Sequence, residues 1–226
     1  MTLAARLSAI DEKIADAARL AGRDAAEITR IVVTKFHPAS LVADLAALGV
    51  RDVGENRQQE LSAKREELSS LADVRWHFIG QAQTNKAAAI RRAADVVHSV
   101  DRDRLADSLH RAADSDAVLD VLVQINLTDD AGRGGVHPDD ALHLADRIAG
   151  LDSLRLRGVM AVAPLDEEPA SAFTRLRSVA DAVQAQHPEA SWISAGMTAD
   201  FAEAIAAGAT HLRIGSAITG PRPARG

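Results

Sequence analysis

Cysteine and tyrosine are both missing from the 226 residues. Without a thiol there is no disulfide framework, no thiolate zinc site and no cysteine nucleophile, which fits a reducing compartment and makes the cytoplasm the expected location. Without a phenol, any acid or base must be another group. Long hydrophobic runs are lacking too: nowhere do about 18 apolar residues stand together, so no membrane span is expected. Asp11, Glu12, Lys13 and Asp16 interrupt the N-terminus before it reaches signal-peptide length. Leu3, Leu7, Ile10, Ile14, Ala17 and Ala21 recur there at helical spacing and predict an amphipathic opening helix. Basic runs stop at Arg91-Arg92, and the net charge is −6. That balance argues against nucleic acid or an anionic membrane as partner and points to small molecules.

The composition, 47% hydrophobic and 26% charged, suits one sizeable core. Short β-rich runs alternate with helical stretches. Strands are predicted over 28–36, 50–54, 74–80, 96–100, 118–127, 154–163, 191–197 and 211–218. Helices are predicted over 39–48, 56–71, 85–94, 102–113, 138–149, 170–186 and 199–207. Such alternation implies parallel strands with right-handed crossovers, and near-continuous apolar runs such as Val118 to Ile125 fit a sheet covered by helices. Eight units close naturally into a (β/α)8 TIM barrel, with an open doubly wound sheet as the alternative. No linker divides the chain, so residues 1–220 are expected to be a single domain and 221–226 a flexible tail.

In a barrel the C-terminal ends of the strands line the functional face. Those ends nominate Lys35, Glu55-Asn56, His77 with Gln81, Asn126 with Thr128, Met160, Met197-Thr198, and Arg213 with Gly215-Ser216. Lys35 closes the most apolar run, Ile31 to Phe36, where an ammonium is costly unless it snorkels to water, is paired, or is used covalently. Thr198 is placed to cap a helix or to offer its hydroxyl to a ligand. Gly215-Ser216 lets backbone approach a phosphate, as loops after the seventh and eighth strands of barrels often do. The set suits a small anion bearing a carbonyl.

The segments Val33-Thr34-Lys35, Gly54-Glu55-Asn56, Trp76-His77-Phe78-Ile79-Gly80 with Gln83 and Asn85-Lys86, Gly196 to Asp200, and Arg213 to Ile218 resemble the pyridoxal phosphate homeostasis proteins. These are single-domain relatives of the alanine racemase N-terminal barrel (PLP fold type III), and the resemblance spans nearly the whole chain. It implies pyridoxal 5'-phosphate (PLP) held as a Schiff base, an aldimine, on Lys35. It further implies phosphate contacts from Thr198, Gly215 and Ser216 beside Met197, Arg213 facing the pyridine nitrogen, and Asn56 as a second-tier contact. His77 and Met160 are expected on the pocket wall. Ala82 stands where a bulkier leucine is usual, and Thr198 replaces a frequent serine. A buried lysine can lose roughly 3–5 units of pKa and so capture an aldehyde near neutral pH. An arginine at the ring nitrogen weakens the ring as an electron sink.

Racemisation in the related enzyme uses the cofactor lysine and a tyrosine from a second domain. This chain has no tyrosine, and a histidine flanked by Trp76 and Phe78 reads more simply as structural. The expectation is therefore a PLP carrier for storage, buffering or delivery, with PLP-dependent apoenzymes as partners, a monomeric state and no assigned catalytic residue. A low-activity PLP-dependent amino-acid racemase is the rival. A cofactor-free lysine aldolase is a third class, which leaves Arg213 without a purpose. Gly132-Arg133-Gly134-Gly135 lacks the spacing of a dinucleotide loop and reads as a mobile turn beside the mouth. His137 and His143 share no helical face with a carboxylate, so no metal site is expected. Asp166-Glu167-Glu168 reads as a solvated loop.

Overall fold

A computed structural model describes residues 1–128, 130 and 132–222. Of the expected tail, residues 223–226 lie outside the described residues, as do Asp129 and Ala131 of the loop before Val136.

Branched side chains fit a pleated surface that helices cover, and the short Val/Ile-rich runs become strands. These are β1 (Thr29–Val33), β2 (Asp52–Glu55), β3 (Arg75–Phe78), β4 (Val96–Val100), β5 (Leu119–Gln124), β6 (Leu154–Met160), β7 (Trp192–Ser194) and β8 (His211–Ile214). Each pairs in parallel with the next, and β8 returns to β1 through Val32 opposite Ile214, so the sheet is a closed barrel. This is the (β/α)8 barrel that the alternation predicts, and the open sheet is ruled out. The helices are α1 (Leu3–Leu20), α2 (Ala39–Ala47), α3 (Gln58–Glu67), α4 (Ala87–Ala93), α5 (Asp103–Arg111), α6 (Ala141–Ala149), α7 (Pro169–Gln186), α8 (Phe201–Ala206) and α9 (Ser216–Thr219). None among the described residues is long and apolar enough to cross a membrane.

The pleat sorts side chains between two cores. Val32, Val53, Trp76, Phe78, Val97, Val121, Ile193, Leu212 and Ile214 point outward into the layer shared with the helices. Val96, Leu122 and Met160 form a small apolar cluster inside the barrel. The opening helix buries Leu7, Ile10, Ile14 and Ala18. Arg6 Nε on that helix donates to the Ile218 carbonyl at 2.6 Å, tying α1 to α9 beside the barrel mouth.

Several expected boundaries are too long. The first strand stops at Val33 rather than Phe36, because the chain turns at Thr34 to His37, whose N–H donates to the Thr34 carbonyl. The expected strand over 211–218 is β8 followed by α9, since Gly215 turns the chain between them. The helix expected from 85 opens with a 3-10 turn, Thr84–Lys86, and the one expected from 199 starts at Phe201.

Candidate active-site pocket

Lys35 follows β1 at the C-terminal rim, half-buried and within the turn. The turn lifts its side chain to the mouth, so the charge does not enter the core. Its amine has no hydrogen-bond or ion-pair partner among the described residues, and lies 5.8 Å from the centre of the Phe36 ring. The turn itself is fixed. Phe36 has a φ of 69°, rare for a bulky residue, and its N–H donates to Glu60 Oε2 at 2.8 Å. Beneath it, Lys64 reaches from α3 to the Thr34 carbonyl at 2.9 Å and to Glu55 Oε1 at 2.5 Å, while the Thr34 hydroxyl donates to the same oxygen at 2.6 Å. Thr34 and Glu55 are fully buried and Lys64 nearly so. Burial pushes the Glu55 carboxyl up, and the Lys64 ammonium and Thr34 hydroxyl offset only part of that.

The neighbouring rim residues come from consecutive strands. Asn56 follows β2 and is held by Gly80, where a Cβ would lie 2.0 Å from the Asn56 carbonyl oxygen. Met197 and Thr198 follow β7 and are exposed. Gly196 precedes them with a φ of +91° and packs so tightly that a Cβ would fall 2.7 Å from that of Ala204. Thr198 does not cap α8, which corrects one expectation: Asp200 occupies the cap position and accepts from the Met197 N–H at 2.6 Å. The Thr198 hydroxyl is left without a partner among the described residues, as is the exposed hydroxyl of Ser216 beside half-exposed Gly215.

Arg213 projects from β8 into the barrel, 5% exposed. Its Nη1 donates to Ser194 Oγ at 2.7 Å and its Nη2 to the Ala161 carbonyl at 2.8 Å, leaving three of the five N–H groups of a guanidinium. Burial lowers its pKa to about 10, so it stays cationic at neutral pH. Lys35, Asn56, Thr198, Arg213, Gly215 and Ser216 therefore share the sector built by β7, β8, β1 and β2.

Other nominated residues serve the scaffold. His77 is not on the pocket wall: it is fully buried inside the barrel, its Nδ1 2.9 Å from His98 Nε2 and its Nε2 2.9 Å from Asp52 Oδ1. Inward-pointing β3 residues alternate, and His77 falls one level below the rim. Met160 is likewise buried in the interior cluster. Asn126 donates to the Asp130 and Arg133 carbonyls and accepts from Thr128, while Gln124 donates to the Gly134 carbonyl at 2.8 Å. Arg133 and Gly134 of the Gly132–Gly135 loop are thus hydrogen-bonded to residues at the end of β5 and just beyond it. Gln81 and Gln83 are exposed beyond β3. A cleft of about 750 Å³ lies over this side, lined by Asn126, Arg133, His137, Asp166, Glu167 and Arg175. Arg175 pairs with Glu167 there, so the cleft is largely self-neutralised.

Sequence reasoning missed Lys64, His98 and Ser194, all buried polar residues behind the rim. The only signal for the latter two was polarity inside otherwise apolar strands.

A closed barrel whose rim carries an unpartnered amine beside free hydroxyls and an anchored guanidinium is of the alanine racemase N-terminal class, and the family profile of that description, "Alanine racemase, N-terminal domain", matches residues 5–223. Within it the chain belongs to the pyridoxal phosphate homeostasis protein family. The protein of that name from Mycobacterium tuberculosis is 40% identical over 238 residues, covering 97% of this chain and 92% of the relative. That from Escherichia coli K12 is 37% identical over 226 residues, covering 97% of each. PipY from Synechococcus elongatus, solved with PLP bound, superimposes with a TM-score of 0.84 at 32% identity, covering 97% of this chain and all of the other.

Proposed function

We propose that this protein binds PLP at the rim sector built by β7, β8, β1 and β2 and serves PLP homeostasis by storing, buffering or handing over the cofactor, without strong turnover of its own. The observation that carries the reading is the donor set. A primary amine and two hydroxyls with no partner among the described residues, and a buried guanidinium with N–H groups to spare, match an aldehyde, a phosphate and a ring nitrogen respectively. The residues present fit the group. Lys35 would hold it covalently; Thr198, Gly215 and Ser216 would bind its phosphate; Arg213 would face its ring nitrogen; Asn56 and Met197 would flank it. Bound PLP supplies an electrophilic aldehyde and an electron-withdrawing ring.

Arg213 favours holding over turnover. A fixed cation disfavours a proton on the ring nitrogen, and the ring then draws electrons less strongly. A racemase would also need a second base across the substrate, yet the sequence contains no tyrosine and His77 has both ring nitrogens engaged. The reading extends to a monomer in the cytoplasm that passes PLP to apoenzymes.

The purified protein mixed with PLP and freed of excess by gel filtration tests this. The wild type should keep a visible absorption band that Lys35→Ala loses. A colourless protein that retains no PLP would sink the reading, and Lys35-dependent exchange of the alpha-proton of alanine or serine in deuterated water would replace it with the racemase.

A further inference from the structure

Interiors of (β/α)8 barrels are ordinarily filled by branched apolar side chains, yet here a continuous polar row crosses the interior. Arg213 Nη1 donates to Ser194 Oγ at 2.7 Å, Ser194 Oγ lies 2.9 Å from His98 Nδ1, His98 Nε2 lies 2.9 Å from His77 Nδ1, and His77 Nε2 lies 2.9 Å from Asp52 Oδ1. The row runs from β8 through β7, β4 and β3 to the first residue of β2, at the face opposite the mouth. His77, His98 and Ser194 are 0% exposed. Apolar side chains of equal volume would avoid the desolvation cost of such groups.

Both ends of the row dictate its proton order. A guanidinium can only donate, and an ionised carboxylate can only accept. Burial pushes the Asp52 carboxyl up, but the His77 hydrogen bond and the Arg75 guanidinium work against it and the pKa lies below the ordinary value. His77 must then donate from Nε2 and accept at Nδ1, His98 must donate from Nε2 and accept at Nδ1, and Ser194 must donate to His98 while accepting from Arg213. Burial keeps both rings neutral by lowering their pKa values. Every link points the same way, from cation to anion, so each bond polarises the next.

We propose that Ser194, His98, His77 and Asp52 form a positioning relay for Arg213: a one-way hydrogen-bond chain that fixes the guanidinium in its rotamer and aims its remaining N–H groups at the ligand. The proposal rests on the PLP reading for the identity of that ligand. It accounts for a polar interior where an apolar one would suffice, and it links the cofactor-facing cation to a carboxylate at the other end of the barrel.

Nitrogen-15 NMR of the cofactor-free protein at pH 7 reads the chain directly. Both His77 and His98 should be Nε2–H tautomers, and Ser194→Ala should release His98 from that single state. With PLP, Ser194→Ala should bind about tenfold more weakly, as expected for losing a hydrogen bond to a charged group, and shift the visible band. Ser194→Thr, which keeps the hydroxyl, should restore both. Asp52→Asn, remote from the mouth, should also shift the band. Nδ1–H histidines, or a folded Ser194→Ala with unchanged affinity and band, would overturn the relay. Should Ser194→Ala fail to fold, an unmoved band in Asp52→Asn would overturn it as well. Failure of the wild type to bind PLP would sink the cofactor reading alone, because the tautomers are read without it.

Discussion

At the scale of single residues, two lysines with opposite legibility build the site. Lys35 is visible in the sequence because it ends an apolar run, where a charge needs a reason. Lys64 sits among Arg65, Glu66 and Glu67 on α3 and looks like any solvated helix residue, yet it is buried against Glu55 and the Thr34 carbonyl. No periodicity reveals it, because its partners come from two other elements. Glu55 Oε2 has no partner among the described residues even with Lys64 in place. Lys64→Met would leave the buried carboxylate with the Thr34 hydroxyl alone, and breaking a buried pair in this way costs about 3–5 kcal/mol. Urea unfolding should show that loss, and adding Glu55→Leu should recover much of it, since replacing both partners removes the stranded charge. A Lys64→Met midpoint equal to wild type would contradict the account of the turn.

At the scale of elements, existence was legible and ends were not. Strands buried on both faces read as Val/Ile runs, so all eight were found in order. Their ends depend on contacts from elsewhere: Glu60 of α3 accepts from the Phe36 N–H, and Asp200 rather than Thr198 organises the start of α8. The loop after β3 shows the same logic in a glycine. Gly80 approaches the Asn56 backbone too closely for any Cβ, so Gly80→Ala must push the loop after β2 outward. The expected cost is about 1–3 kcal/mol, typical of overpacking, with PLP held less tightly because Asn56 moves. Thermal unfolding and PLP titration of one variant measure both. A stable variant with wild-type affinity would mean that the loop position is unimportant.

At the scale of the whole molecule, the barrel is polar along its axis. At the N-terminal face, nearly buried Asp120 gathers Arg75, Arg155 and Arg157, and the guanidiniums of Arg75 and Arg157 both lie against the Trp192 ring. Next comes the histidine level, and then the rim. None of this layering was readable beforehand, because which residues of a strand face inward is decided only when the sheet closes, and β4 and β6 carry register shifts. It has a consequence for acid stability. His77, His98 and His211 are buried and neutral; burial lowers all three pKa values, that of His211 to about 3. Below the ordinary histidine value of 6.5 the unfolded chain takes up protons that the folded chain refuses, so stability present above that pH is lost as pH falls. His211 contributes a slope of up to about 1.4 kcal/mol per pH unit, or roughly 2 kcal/mol by pH 5, and His77 and His98 add to the loss in the same direction. Glu55 acts in the opposite sense, since its raised pKa lets the folded chain take a proton first, and it offsets part of the loss. Against a total of roughly 5–15 kcal/mol for an ordinary domain, the cofactor-free protein should lose a substantial share of its stability by pH 5. Urea midpoints at pH 8, 6.5 and 5 should be level between the first two and fall steeply to the third, and His98→Phe should flatten that fall. A midpoint unchanged from pH 6.5 to 5 would mean that the interior accepts protons, and the neutral histidine level would have to be abandoned.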